Sequence, residues 1–318
     1  MSSSKLFDAA RVALDQCLGV RANETVLIVT DPGRWELALP FRKVAAQMGA
    51  EAILLEMDER KTHGSEPPEL VAAAMAGADV VLAVTTKSLS HTKARKQATQ
   101  AGARVASLPG ITRETMERAL FADYEVIAAR SKEVAQILSR GEKVKITTPA
   151  GTDLTLSIKG REGQPDTGIL HRPGEFGNLP AGEAYIAPVE GSAQGTLVID
   201  GAMSGVGMLK EPIVMEVRDG VVVDLQGPDA DALRGVLEGL GEAAYMIGEL
   251  GVGTNDQAVI CGQVLEDEKV LGTIHIAIGN NSFFGGTIQV ASHHDGILRE
   301  PTVVIDGELL LEKGRLVL

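Results

Sequence analysis

Short apolar runs alternate with amphipathic stretches through the N-terminal part of the chain. Val26-Leu27-Ile28-Val29-Thr30, Ala52-Ile53-Leu54-Leu55-Glu56, Val80-Val81-Leu82-Ala83-Val84 and Arg104-Val105-Ala106-Ser107-Leu108 read as strands. Between them Trp35 to Met48, Pro68 to Ala76 and Thr92 to Ala101 read as helices, with Pro68 near a helix start, Gly77 just past a helix end, and Pro40 weakening a first turn. Continuous apolar strands separated by helices predict a parallel sheet covered on both faces, a three-layer, Rossmann-like α/β domain. Ligands of such sheets sit at the carboxyl ends of the strands. Asp31 and His91 fall just beyond two of those ends. No Gly-x-Gly-x-x-Gly follows any of the strands, so no dinucleotide site is predicted.

The pattern changes near residue 140. Val144 to Thr148 and Leu154 to Ile158 flank a Gly-bearing turn, and Ile213 to Val217 turns at Asp219-Gly220 into Val221 to Leu225. Both read as β-hairpins. A helix is predicted over Asp229 to Met246, and another, Tyr124 to Gly141, joins the two halves. The expected organisation is a first domain over 1–135 and a mostly antiparallel α+β domain over 136–318 that carries the metal chemistry.

That chemistry rests on Thr273-Ile274-His275-Ile276-Ala277-Ile278-Gly279 and Ser292-His293-His294-Asp295, which hold three of the chain's six histidines. Both segments read as strands, so His293 and Asp295 share a face, and His275 points away from the side that Ile274 and Ile276 share. Imidazole with carboxylate suits zinc, iron, cobalt or manganese. A histidine on a strand is more often a hydrogen-bonded structural residue than a ligand. His91, His171, Arg95 and Arg172 form two further polar clusters, the histidines as candidate bases and the arginines as partners for a substrate carboxylate. By composition alone Glu183 and Glu249 read as exposed turn carboxylates.

Composition narrows the class. With 318 residues and 44% hydrophobic positions the chain is long enough for two domains. No apolar run nears the ~20 residues a bilayer demands, so no membrane span is expected. Met1 to Val20 carries Lys5, Asp8, Arg11 and Asp15 and reads as an amphipathic helix, not a signal peptide. Cys17 and Cys261, the only two cysteines, predict no disulfide framework and a reducing, cytoplasmic setting. A net charge of −13 argues against nucleic-acid partners.

Leu154 to Gly160 after Thr152-Asp153, Asn178-Leu179-Pro180-Ala181-Gly182-Glu183, Gly248-Glu249-Leu250, His275-Ile276-Ala277-Ile278-Gly279 and His293-x-Asp295 occur in the order seen in the aminopeptidase T family of dinuclear, leucyl-aminopeptidase-type metallopeptidases. The resemblance covers most of the second half. It implies a metallo-aminopeptidase in which Glu183, Glu249, His275, His293 and Asp295 hold two zinc, cobalt or manganese ions. In that scheme Glu249 bridges the ions, a metal-activated water attacks the first peptide bond, and Glu268 shuttles the proton. The peptidases carry a Tyr where Asn280-Asn281-Ser282-Phe283-Phe284 stands here, and a Glu just before the His where the nearest acids are Asp267 and Glu268. The chain also resembles the 2,5-dihydroxypyridine 5,6-dioxygenases, which hold one Fe(II) by two His and one Asp. His275, His293 and Asp295 supply that set, with Glu183 and Glu249 orienting the histidines. The third reading is a catalytically silent metal-binding protein. A small peptide or small-molecule substrate and a homodimer complete the expectations.

Overall fold

Strand register gives the clearest view of the architecture. In the computed structural model, which describes residues 2–318, a five-stranded sheet runs Glu51–Glu56, Thr25–Thr30, Val80–Val84, Arg104–Ser107, Phe176–Asn178. All its pairings are parallel. Val80–Val84 is buried at every position, as a strand covered on both faces must be. Helices Trp35–Gln47, Glu69–Ala76 and Lys93–Gln100 fall where the periodicity places them. The first keeps Pro40 in its interior, and the last is capped by Thr92, whose hydroxyl accepts from Arg95 N. The N-terminal helix Ser2–Val12 continues as a wider turn over Ala13–Cys17. The mixed α/β plan with one parallel sheet agrees with the expected fold class.

Two units emerge, one of residues 1–126 with 168–181, the other of residues 127–167 with 182–318. The chain therefore crosses over at 126/127, where the sequence suggests 135, and then returns once. The return exists because Phe176–Asn178 adds as a parallel edge strand on Arg104–Ser107. A three-residue Phe-Gly-Asn strand carries no hydrophobic period, so a single boundary could not foresee it.

The second unit contains an eight-stranded and a seven-stranded antiparallel sheet. The first includes the expected hairpins Lys143–Thr147 with Asp153–Ser157 and Ile213–Arg218 with Val221–Gln226. The second runs Gly207–Met208, Ala202–Met203, His293–Leu298, Ile274–Gly279, Ile247–Gly253, Glu183–Ile186, Gln164–Asp166. One hydrophobic core joins them. Val144, Ile146, Leu154 and Leu197 enter it from the first sheet, Ile186, Leu250, Val252, Ile274, Ile276 and Ile278 from the second, and Val134 and Leu138 from the helix Tyr124–Arg140. Each fully buried isoleucine there stabilises the unit by roughly 1.5–3 kcal/mol.

The long helix expected over 229–246 is shorter. It spans Ala230–Leu237, and a 3₁₀ turn follows at Glu242–Tyr245. Gly239 and Gly241, at φ 79° and 82°, lie in the left-handed region and interrupt it. Cys17 is buried, Cys261 is exposed, and no disulfide joins them. Among the described residues no helix is long and apolar enough to cross a membrane.

Candidate metal centre

Alternation along four neighbouring strands decides which side chains meet. On Ile274–Gly279 the isoleucines face the core, so His275, Ala277 and Gly279 face the other way. Ala277 stands opposite Glu249 on one side and Asp295 on the other, His275 opposite Gly251, and Gly279 opposite His293. Glu183 pairs with Gly253, and Asp166 pairs with Glu183 in turn. Six polar side chains thus share one face, around a floor made small by Ala277 and the glycines.

Two local devices make this possible. A β-bulge lies between Ile247 and Glu249. Without it Ile247 and Glu249 would share a face; with it Ile247, Leu250 and Val252 enter the core while Glu249 turns to the polar side. The extra residue is Gly248, where a Cβ would lie 2.6 Å from the carbonyl oxygen of Gly279. Gly251 leaves room for an imidazole, since a Cβ there would lie 2.0 Å from His275 Nε2.

The side chains converge closely. His275 Nε2 lies 3.2 Å from Glu249 Oε1 and 3.3 Å from Glu183 Oε2. His293 Nε2 lies 3.3 Å from Glu249 Oε2 and 3.2 Å from Asp295 Oδ1. Glu249 therefore joins the two imidazoles through its two oxygens. Two trios have the spacing to hold a cation, Glu183–Glu249–His275 and Glu249–His293–Asp295. His275, His293 and Asp295 do not form a third such trio; register separates the histidines, one opposite Ile297 and the other opposite Gly279, and Glu249 spans the gap.

His293 Nδ1 lies 2.8 Å from the backbone carbonyl of Asn280. A carbonyl only accepts, so Nδ1 carries the hydrogen and Nε2 is left as the donor atom for a cation. Glu183 Oε2 and His275 Nδ1 are buried without a hydrogen-bond partner. Two imidazoles, three carboxylates and an orphaned carboxylate oxygen fit a divalent transition metal.

A buried lysine, Lys269, completes the cluster. Its Nζ lies 2.6 Å from Glu183 Oε1, 2.9 Å from Glu268 Oε1 and 3.1 Å from Asp166 Oδ2, with its side chain 2% exposed. Beside it, Tyr185 and Phe284 meet edge to face at 5.3 Å, and Phe284 meets His293 the same way at 6.2 Å. Lys269, Asp166 and Tyr185 escape a reading of the sequence for metal ligands. For Tyr185 a signal exists, since Glu183-Ala184-Tyr185 places the two on one strand face.

Burial raises Glu183 to about 8 even with Lys269 beside it, and burial likewise raises Glu268. Burial opposes charge on His275, yet its hydrogen bond to Glu249 and the Glu183 charge bring it up to about 9. His293 stands well above an ordinary histidine because Asp295 and Glu249 outweigh its burial. The same imidazoles, against the effect of burial, hold Asp295 and Glu249 below the usual carboxylate range. The neighbouring carboxylates therefore favour the protonated form of both imidazoles in the ion-free protein. A cation needs neutral Nε2 atoms, so its uptake displaces protons. Apparent affinity is expected to rise as pH climbs toward 9 and to fall on acidification. Calorimetry in buffers of different ionisation enthalpy measures the release; uptake with no protons released contradicts this reading of the cluster.

Of the other expected site residues, one is at the cluster and four belong to the first unit. Glu268 is at the cluster, on Lys269. His91, Arg95, His171 and Arg172 belong to the first unit, and the cluster is built wholly from the second. His91 precedes the helix cap Thr92. Arg95 Nε donates to Ser90 O at 2.7 Å and its guanidinium stacks 4.3 Å over Phe176. His171 Nε2 lies 2.8 Å from Gln16 O, and Arg172 Nε pairs with Glu175 at 2.7 Å.

Comparison with known proteins adds a second line of observation. The family of 2,5-dihydroxypyridine 5,6-dioxygenases (NicX) matches residues 5–318. A 2,5-dihydroxypyridine 5,6-dioxygenase from Pseudomonas putida is 24% identical over 261 residues, covering 77% of this chain and 72% of that protein. The solved structure of the 2,5-dihydroxypyridine dioxygenase from P. putida superposes with a TM-score of 0.81 at 18% identity, over 100% of this chain and 98% of the other. Wild-type AmpT from Thermus thermophilus superposes with a TM-score of 0.73 at 19% identity, over the whole of both chains. At such identities the two structures establish the fold.

Proposed function

We propose, because this chain belongs to the 2,5-dihydroxypyridine 5,6-dioxygenase family, that it opens a hydroxylated pyridine ring with dioxygen at a single divalent iron. Two imidazoles and Asp295 on one sheet face, joined by Glu249, are the observation that carries the proposal. His293, Asp295 and Glu249 would hold the ion as they stand, with His275 on the other oxygen of Glu249. Bound there, iron would supply the binding of a ring hydroxyl and the activation of dioxygen.

The chain's own residues do the rest. The bond from His293 Nδ1–H to Asn280 O fixes that ring and aims Nε2. Phe284, edge-on to both Tyr185 and His293, gives the site an aromatic wall for a flat heteroaromatic substrate. Glu183, with its Oε2 buried and without a hydrogen-bond partner, can accept a proton from a ring hydroxyl. Ring opening breaks one ring bond and places both oxygen atoms in the product, so no external reductant is consumed.

A second reading has its own support. Two close trios sharing one carboxylate also suit two ions and a metal-activated water, the hydrolysis expected from the aminopeptidase resemblance. Anaerobic purification, loading with Fe(II), and parallel assays separate the two. Stoichiometric oxygen uptake with loss of 2,5-dihydroxypyridine absorbance supports ring opening. Release of an aminoacyl anilide by the manganese or cobalt form, with no oxygen uptake on the ring, overturns it.

A further inference from the structure

The two trios sharing Glu249 offer places for two cations, and one side of the pair already contains a cation of the chain's own. Lys269 Nζ sits on Glu183 Oε1 at 2.6 Å and is also held by Glu268 and Asp166 at 2.9 and 3.1 Å. Its ammonium cannot swing out to solvent. The side chain is 2% exposed, and its backbone is pinned on both sides, Lys269 N donating to Glu266 O and Asn255 N donating to Lys269 O. Glu183 therefore divides its oxygens, one to Lys269 and one facing His275. Three carboxylates converge on a buried point that a metal would otherwise neutralise, and a fixed ammonium neutralises it instead. The Glu249–His293–Asp295 side has no such resident; the ion pairs of Lys269 go to Glu183, Glu268 and Asp166, and its carboxylates pair with imidazoles.

A divalent ion at Glu183–Glu249–His275 would meet this ammonium across a shared carboxylate, in a buried setting where like charges repel strongly. It would also compete with Lys269 for the electron density of Glu183. A divalent ion at Glu249–His293–Asp295 shares no carboxylate with the ion pairs of Lys269 and does not compete with it for Glu183. We infer that Lys269 is a built-in stand-in for a second metal ion, which limits the cluster to one divalent cation on its Glu249–His293–Asp295 side. The inference rests on the single-ion reading above and deepens it. Lys269 is a positioning residue in this scheme: it acts through Glu183 and sets how many ions the site accepts.

The test uses the full chain, stripped of metal and titrated anaerobically with Mn²⁺ alone, read by elemental analysis and electron paramagnetic resonance. Wild type is expected to take one Mn²⁺ per chain with the spectrum of an isolated ion. Lys269→Met keeps the length of the stem and removes the charge. It is expected to take two, with a spin-coupled spectrum. Because Lys269→Met leaves three buried carboxylates unneutralised, the double variant Lys269→Met/Asp166→Asn is made beside it, with the same expectation. If both variants fold only with Mn²⁺, recovery that requires two equivalents supports the inference and no recovery at two equivalents overturns it. One ion in wild type and one in the folded variants overturns the role of Lys269 and leaves the single-ion reading intact. Two ions in wild type overturn the single-ion reading itself.

Discussion

His293→Ala is expected to empty the site and to lower turnover by about a thousandfold or more. Altering a group that merely orients a metal ligand costs roughly 10–100-fold in affinity or activity, so losing a ligand exceeds that range. The position is demanding because His293 serves both partners of its trio. Its Nε2 faces Glu249 at 3.3 Å and Asp295 at 3.2 Å, while Nδ1–H is fixed on Asn280 O. Without the ring Asp295 and Glu249 are left adjacent, buried, and short of positive charge. Asp295→Ala should behave alike from the opposite side of the same pair. His171→Ala is the control: its Nε2 is engaged with Gln16 O, and its loss should leave metal content unchanged. Elemental analysis after dialysis, with oxygen uptake on 2,5-dihydroxypyridine, reads both effects. A His293→Ala protein that keeps its metal and its rate removes this residue from the site altogether.

The features of this site that the sequence discloses are those with a period. His293 and Asp295 two apart on a strand, and His275 between two isoleucines, announce a shared polar face because side chains alternate. The parallel sheet is legible for the same reason, since Val26–Val29 and Val80–Val84 are unbroken apolar runs. What has no period stays hidden. The bulge before Glu249 reverses the alternation of its strand, so counting from Ile247 would send that carboxylate into the core. Glu183 and Glu249 stand out through resemblance alone, because composition favours exposure for any glutamate. Lys269 is the sharpest case: a lysine after a run of acids in Glu266-Asp267-Glu268-Lys269 reads as surface, yet tertiary pairing with Asp166 and Glu183 buries it. His171 and Arg172 show the converse. Charge clusters that look chemical are satisfied by Gln16 and Glu175 within their own unit.

Gly251→Ala is expected to weaken both the fold and the metal centre, although glycine touches no ion. A Cβ at 251 would lie 2.0 Å from His275 Nε2, 2.1 Å from Cε1 and 2.8 Å from Cδ2. The ring has nowhere to retreat: it is buried, its Nε2 is hydrogen-bonded to Glu249, and Glu183 Oε2 lies 3.3 Å away. The methyl must push the imidazole off its rotamer or force the paired strands apart. Overpacking of this kind costs about 1–3 kcal/mol, and the displaced hydrogen bond to Glu249 adds to it. A melting temperature lower by several degrees and a metal affinity reduced by about tenfold or more should appear together. Gly235→Ala supplies the contrast, because that glycine lies inside the helix Ala230–Leu237 with open space where its Cβ would go. There the same methyl should raise stability by roughly 0.5–1 kcal/mol and leave metal binding alone. Thermal melts with and without Mn²⁺ on the two variants separate a steric fault at His275 from a general cost of adding a methyl group. If Gly251→Ala melts and binds like wild type, the imidazole of His275 does not lie over residue 251, and the arrangement of donors around Ala277 is lost with it.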